Sequence, residues 1–391
     1  MKKNNLKLLN EDKLLLCCAR IKIDSDIKEK VVSLIGDDFD WQHLIEMATR
    51  HKLRPLLYHN LNSICPEKVP EDILQELKTY FNANVRKNLM FTGELVKILE
   101  LLKNENIGAI PYKGPFLAAL AYNNVGLRQY NDLDVFIDQS DILRAKKALI
   151  LEGYEPYFNL NNIDDSQLLR TQREYLFKSN KGFIVELHWN IQGPNLSFPM
   201  EPKCFYKELK LIKINNFESR SFNTENLILI LCLHAAKHDW NQISFLIDIA
   251  LLIQSKNINW VEVLEKADKL CIKRILSINI LLIYDLFNLK NLNEVLNDLK
   301  FDSTSLKISN QIKELLFNEK SLNMYDKFVI DLKKRENIKF GIKDCVFDLT
   351  KPSYADFDDL SLPKSLFNLY LVVRPFLLIK RYINNLFEHI S

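Results

Sequence analysis

From Glu11 to about Glu100 the apolar residues recur at intervals of three and four, as in Leu44, Met47 and Ala48 and again in Leu53, Leu56 and Leu57. That spacing predicts amphipathic helices. Pro66 and Pro70 punctuate the run, and a last helix is expected over about 71–104 with Leu89, Met90, Leu95, Ile98, Leu99 and Leu102 turned toward a core. After Asn106 the texture changes. Ile107–Tyr112, Leu133–Ile137, Glu174–Phe177 and Phe183–Trp189 are short apolar runs flanked by Gly, Asn or Lys, the mark of strands. Between them Pro115–Tyr122 and Ser140–Leu151 predict helices, the second opened by Ser140 as its cap and closed by Gly153. From Asn223-Thr224-Glu225 the helical pattern returns, with helices expected over 224–238, 242–255, 259–269 and 271–288. Their short connections favour antiparallel packing. The stretch 290–363 is rich in Asn and Lys with weaker periodicity, Asp356–Pro363 reads as a surface loop, and no internal repeat is seen.

These elements predict an α+β protein, mostly helical overall. Residues 1–104 form an N-terminal helical region, 105–222 an α/β core with a small mixed sheet, and 223–391 a C-terminal helical region with a basic and apolar tail. Only 9 Gly and 12 Pro in 391 residues disfavour an all-β architecture, which needs frequent turn residues. In the tail, the apolar run Leu366–Ile379 is interrupted by Asn368, Arg374 and Pro375 and is too short for a bilayer span. Arg374, Lys380 and Arg381 beside Phe376, Leu377 and Leu378 would suit a membrane surface, but packing on the body of the protein is favoured.

Charge and cysteine content narrow the function. With 53 Lys and Arg against 50 Asp and Glu the net charge is +3, which disfavours long nucleic acids as partners. Cys17, Cys18, Cys65, Cys204, Cys232, Cys271 and Cys345 are odd in number and lack any C-x-x-C pair. They predict neither a disulfide framework nor a zinc ribbon. The basic start of the chain resembles a signal peptide, yet Glu11 and Asp12 interrupt its apolar stretch and no small-residue cleavage site follows. A cytoplasmic location is expected.

The chemistry concentrates in Lys113-Gly114-Pro115, Gly126-Leu127-Arg128, Asp132-Leu133-Asp134-Val135-Phe136-Ile137 and Val185-Glu186-Leu187-His188-Trp189. Side chains alternate along a strand, so Asp132 and Asp134 share one face while Leu133, Val135 and Ile137 share the other. If the second strand is a neighbour, Glu186 becomes a third carboxylate, with Glu174 as the competing choice. Two carboxylates about 5 Å apart repel by roughly 3 kcal/mol at an effective dielectric of about 20. A divalent cation removes that penalty, and hard oxygen ligands favour Mg²⁺ or Mn²⁺. Ahead of the acids, Gly114 permits close backbone approach and Pro115 suits a first helical position. The free amides of that helix start would cradle a triphosphate.

The runs KGPFLAALAYNNVGLRQYNDLDVFI, VELHWN and LCLHAAKHDWNQISFLIDIALLI resemble an uncharacterised bacterial nucleotidyltransferase family of the polymerase-β-like superfamily, over about 107–255. The resemblance implies a nucleotidyltransferase core in which Gly114 takes the turn position and Asp132, Asp134 and Glu186 are the catalytic, metal-binding acids. It implies an NTP donor, ATP foremost, with Mg²⁺ or Mn²⁺. Pro115 stands where the superfamily usually has Ser, so Lys113 would supply charge to the phosphates.

On the expected helix 224–238, His234, Lys237 and His238 share one face. Ala235 stands where a zinc-protease helix needs its Glu base, which disfavours proteolysis. The three would reach the triphosphate, or would form a polar helix face paired with Asp239 or Asp248. Arg128 would bind phosphate or pair with the acids. His188 would serve as a general base or as a packing residue beside Trp189, and Trp189 and Trp240 would stack a base or fill the core. The expected activity is transfer of a nucleoside monophosphate from an NTP to an acceptor hydroxyl on a small molecule, sugar or peptide, releasing pyrophosphate. The alternatives are a non-catalytic nucleotide-binding or scaffold protein and, third, γ-phosphoryl transfer.

Overall fold

The computed structural model describes residues 8–158, 163–191, 205–206, 208–214, 217–255, 257–289, 292, 295–296, 299, 301–318 and 323–388. Cys204 and the first seven residues, part of the leader-like start, lie outside them; the described cysteines are free thiols. The N-terminal third is helical: α1 Asn10–Cys18, α2 Ser25–Leu34, α3 Trp41–Arg50, α4 Arg54–Ile64 and α5 Glu71–Asn104. Asp24 and Asp40 cap α2 and α3 by accepting from the amides of Ile27 and His43.

The long α5 buries Leu95, Ile98, Leu99 and Leu102 as the pattern predicts, but Leu89 and Met90 are 56% and 59% exposed. Asn84, Asn88, Thr92 and Glu94 are buried on this helix. The reason lies in its neighbour, the loop ahead of the acidic strand, whose carbonyls need donors once covered. Asn84 donates to the Gly126 carbonyl at 2.8 Å, Asn88 to that of Arg128 at 2.8 Å and Lys87 to that of Tyr130 at 2.7 Å.

The sheet orders as β1-β2-β5-β4-β3, with β1 Ala109–Pro111, β2 Asp132–Ile137, β3 Glu155–Pro156, β4 Glu174–Lys178 and β5 Ile184–His188. β2 and β5 are parallel and every other pair is antiparallel. Helices α6 Gly114–Tyr122 and α7 Ile142–Leu151 fall where expected, whereas β3, α8 Asp165–Thr171 and the separate hairpin β6 Leu209–Ile214 with β7 Phe217–Phe222 carry no sequence signal strong enough to predict them. Ser140 is not the cap of α7. It lies in a preceding 3-10 turn whose cap is Asp138, which accepts from the Ser140 amide at 2.9 Å.

After the sheet come α9 Thr224–Lys237, α10 Ile243–Ser255, α11 Trp260–Lys269 and α12 Lys273–Phe287, within two residues of expectation. Beyond 290 the chain is more helical than its pattern predicts, with α13 Ser303–Phe317, α14 Met324–Lys333, α15 Ile338–Thr350, α16 Tyr354–Asp359 and α17 Tyr370–Glu388. The loop expected from Asp356 is instead helical at its start. Asp356 is fully buried, accepting from the Ser353 amide and from Arg374 and Arg381 of α17. The tail thus packs on α15 and α16 through Tyr370 and Leu377, although Phe376 stays 68% exposed. No helix among the described residues is long and apolar enough to cross a membrane. Trp189 and Trp240 are core residues rather than base-stacking platforms, and Trp240 donates to Asn279 at 3.0 Å.

His51 ties the two helical regions together. Its Nε2 donates to the Leu316 carbonyl at 2.9 Å, and its Nδ1 accepts from the Ile243 amide at 3.3 Å. Both nitrogens are used by the neutral ring, and burial lowers its pKa to about 4. The unfolded chain therefore binds this proton first as pH falls from 6.5. Stability from this group is full above that pH and drops by about 3 kcal/mol on reaching pH 4. Urea unfolding of wild type and His51→Asn should show the variant weaker at pH 7, with the gap narrowing toward pH 4.

Candidate active site

β1 delivers Lys113 to a tight turn, and Gly114 opens α6 with φ of +51°. A Cβ there would sit 3.2 Å from the Asp132 carbonyl oxygen, so the turn lies directly against the acidic strand. Pro115 occupies the first turn of α6, where no amide is needed. Gly114→Ala combines left-handed strain with that close contact. It should cost about 1–3 kcal/mol, read as a lower melting temperature.

Leu133, Val135 and Ile137 point into the core with no exposure. The opposite face of β2 carries the acids, and strand register completes the cluster. Asp134 lies opposite Glu186 on β5, and His188 lies opposite Glu174 on β4. Glu174 and Glu186 therefore share the acidic face, so choosing one as third acid does not exclude the other from the site. His188 stands among them: its Nε2 is 3.0 Å from Asp134 Oδ1 and 3.2 Å from Glu186 Oε2, and its Nδ1 is 3.1 Å from Glu174 Oε2. Lys113 Nζ donates to Asp134 Oδ1 at 2.6 Å, and Arg173 Nε donates to Glu174 Oε2 at 2.7 Å.

The charges on this face answer one another. Burial pushes His188 toward its neutral form, but hydrogen bonds to Asp134, Glu174 and Glu186 outweigh it and raise the ring to about 10. Contacts with three carboxylates set His188 apart from a simple packing residue, and in the metal-free site they favour the protonated ring. Burial also opposes ionisation of Asp134 and Glu174, yet Lys113 and His188 hold the first well below the usual carboxylate range, and Arg173 and His188 do so for the second. Asp132 differs. Burial and the charges of Asp134 and Glu186 push it up to about 6, with Lys113 and Arg128 only partly offsetting them.

Asp134, Glu186 and His188 each offer a ligand atom within 4.8 Å of the others, so this group could hold a metal ion. Two carboxylates, with Asp132 alongside, are the hard donors a divalent cation prefers. A hollow of about 120 Å³ lies in front, lined by Lys52, Lys113, Asp132, Asp134, His234 and Phe245. Lys52 had no signal in sequence, being remote from every motif.

The remaining expected residues divide. Arg128 is committed elsewhere: its Nε and Nη2 donate to Asp248 at 2.9 and 2.8 Å, and the Tyr122 hydroxyl donates to the same carboxylate at 2.7 Å. Asp239 pairs with Lys327, so neither aspartate neutralises the face of α9. His234 reaches the hollow, but burial beside Lys113 lowers its pKa, and burial with Arg173 and Lys113 nearby lowers that of His238 to about 4. At neutral pH both can offer a phosphate an N–H but no charge. Lys237 lines a different cavity, bordered by Arg173 and Glu174.

A comparison with curated proteins gives no match. The model of a family described as an uncharacterised nucleotidyltransferase matches residues 37–288. That span holds the Gly114 turn, the five-stranded sheet and the acidic face, and it covers more than half of the chain, which therefore belongs to this nucleotidyltransferase family.

Proposed function

We propose that the protein is a metal-dependent, polymerase-β-like nucleotidyltransferase that moves a nucleoside monophosphate from an NTP, ATP foremost, to an acceptor hydroxyl. The observation that carries this reading is the grouping of Asp132, Asp134 and Glu186 on one face beside the Gly114 turn. Those carboxylates would hold Mg²⁺ or Mn²⁺, which when bound acidifies the acceptor hydroxyl and neutralises charge on the departing pyrophosphate.

The chain's own groups do the rest. Amides of the first turn of α6 and the Lys113 ammonium bind the β- and γ-phosphates, and Lys113 takes the place of the turn Ser hydroxyl. His234 donates a neutral hydrogen bond within the hollow. His188 keeps its proton and, through its bonds to Asp134 and Glu186, orients both acids. The acceptor oxygen forms a bond to the α-phosphorus, the bond from that phosphorus to the bridging oxygen breaks, and the electron pair leaves with pyrophosphate. The hydroxyl proton passes to a carboxylate oxygen of Glu186.

Incubation with Mg²⁺, each of the four NTPs and a panel of small alcohols, sugars and peptides tests this reading. Pyrophosphate release with a product heavier by one nucleoside monophosphate is expected, and Asp134→Asn should remove it. A product heavier by one phosphate, with NDP formed, would replace the reading by γ-phosphoryl transfer. Metal-dependent nucleotide binding without any product from the panel would favour the non-catalytic alternative.

A further inference from the structure

A second cavity, of about 430 Å³, lies between the start of β4, the end of α9 and the helices from α14 onward. Glu174 lines it, and Glu174 Oε2 is 3.1 Å from His188, whose other nitrogen touches Asp134 and Glu186. The Lys113 hollow uses β2, this cavity uses β4, and β5 with Glu186 stands between them. The two spaces thus flank one set of carboxylates, as donor and acceptor of a transfer must.

We propose that this cavity is the acceptor pocket and that the acceptor is a small hydroxyl compound bearing a phosphate. The inference rests on the transferase reading for the word acceptor, and on the cavity's own chemistry for the phosphate. Its volume falls in the range of small-molecule sites, roughly 300–1,000 Å³. Its described lining residues include six cationic and four acidic ones, and Asp239 and Asp356 behind the lining pair with Lys327 and Arg374, so what favours an anion is a single cation left over rather than an overall excess. A phosphomonoester carries about 1.5–2 negative charges at neutral pH. Arg173, Lys327, Lys334 and Arg374 already meet carboxylates. Lys237 is exposed at the end of α9, and no described carboxylate pairs with it. It receives the phosphate, which leaves the hydroxyl end to face Glu174, the lining carboxylate that His188 links to Glu186. The far wall, including Lys334, Lys351 and Arg374, lies beyond residue 288, where the family match ends. Acceptor choice is therefore supplied by the segment outside that match.

Glycerol 3-phosphate and glycerol, titrated calorimetrically into the full chain with EDTA present, test the pocket without calling on catalysis. Glycerol 3-phosphate should bind saturably and glycerol should not. Lys237→Glu should weaken binding at least tenfold and Lys237→Met in the same direction, while Asp132→Asn leaves it within about twofold. With Mn²⁺ in place of EDTA, the ³¹P resonance of bound glycerol 3-phosphate should broaden in wild type and stay sharp in the Asp132→Asn/Asp134→Asn double variant. Absence of binding, or binding indifferent to both Lys237 substitutions, overturns the phosphate pocket. Binding without broadening by Mn²⁺ overturns its place beside the acids. Glycerol 3-phosphate binding with no binding of any Mg²⁺–nucleotide analogue would sink the transferase reading and the acceptor role with it, leaving a phosphate site.

Discussion

Asp132→Asn is expected to abolish nucleotidyl transfer and, in the metal-free protein, to raise stability. On the proposed reading, removing one of three acids that would hold a cation should lower kcat by roughly three orders of magnitude or more, the scale seen when a preorganised charge is lost at a reaction centre. Stability moves the other way because Asp132 is the group that its surroundings oppose: burial and the charges of Asp134 and Glu186 hold its pKa up to about 6. A carboxyl whose pKa is raised on folding favours the native state only while protonated. Below the unfolded value, near 3.9, the effect is nil, and once pH has risen past 6 the ionised form costs about 3 kcal/mol. The amide escapes that cost. Thermal melts in EDTA should therefore show Asp132→Asn above wild type at pH 7.5 and equal to it near pH 4. Asp134→Asn should behave oppositely, since Asp134 meets both Lys113 and His188 and its loss leaves two buried cations short of a partner. Equal melting temperatures for the two variants at pH 7.5 would refute this division of roles.

The contrast between the two aspartates was only half legible in sequence. A strand alternates its faces, so the pairing of Asp132 with Asp134 follows from spacing alone. Which later acid joins them depends on register between strands some fifty residues apart, and spacing does not encode that. Opposition of Asp134 to Glu186 and of His188 to Glu174 settles the geometry. The elements themselves were readable where burial follows polarity, as in α9 to α12. Past residue 290 that relation inverts. Ile338, Ile342 and Val346 are at least half exposed while Arg335, Asp344 and Asp356 are buried, so a hydrophobic period marks the wrong face. The same inversion hides Asn84 and Asn88, which look like surface residues of α5 and instead hold the loop that leads into Asp132.

Asp248→Asn should produce the largest loss of stability of any single change near the site, about 3–5 kcal/mol, because it leaves the Arg128 guanidinium buried without its counter-charge. Arg128 and Asp248 are 12% and 4% exposed at their side chains, and the pair is bidentate with Tyr122 as a third partner. One partner stands four residues before Asp132 and the other on α10, so the pair fixes the approach to the acids against the helices that follow the sheet. Activity should fall along with stability, but for a reason distinct from that in Asp132→Asn: the acids remain and their placement is lost. Arg128→Met combined with Asp248→Leu removes both charges at once and should recover most of the stability, since a buried ion pair exchanged for apolar side chains is often neutral. A double-mutant cycle from urea unfolding measures the coupling, and a value under about 1 kcal/mol would show that the pair does not tie the two elements together. In the double variant, recovered stability with activity still absent would assign the pair to orienting the loop rather than to holding up the fold.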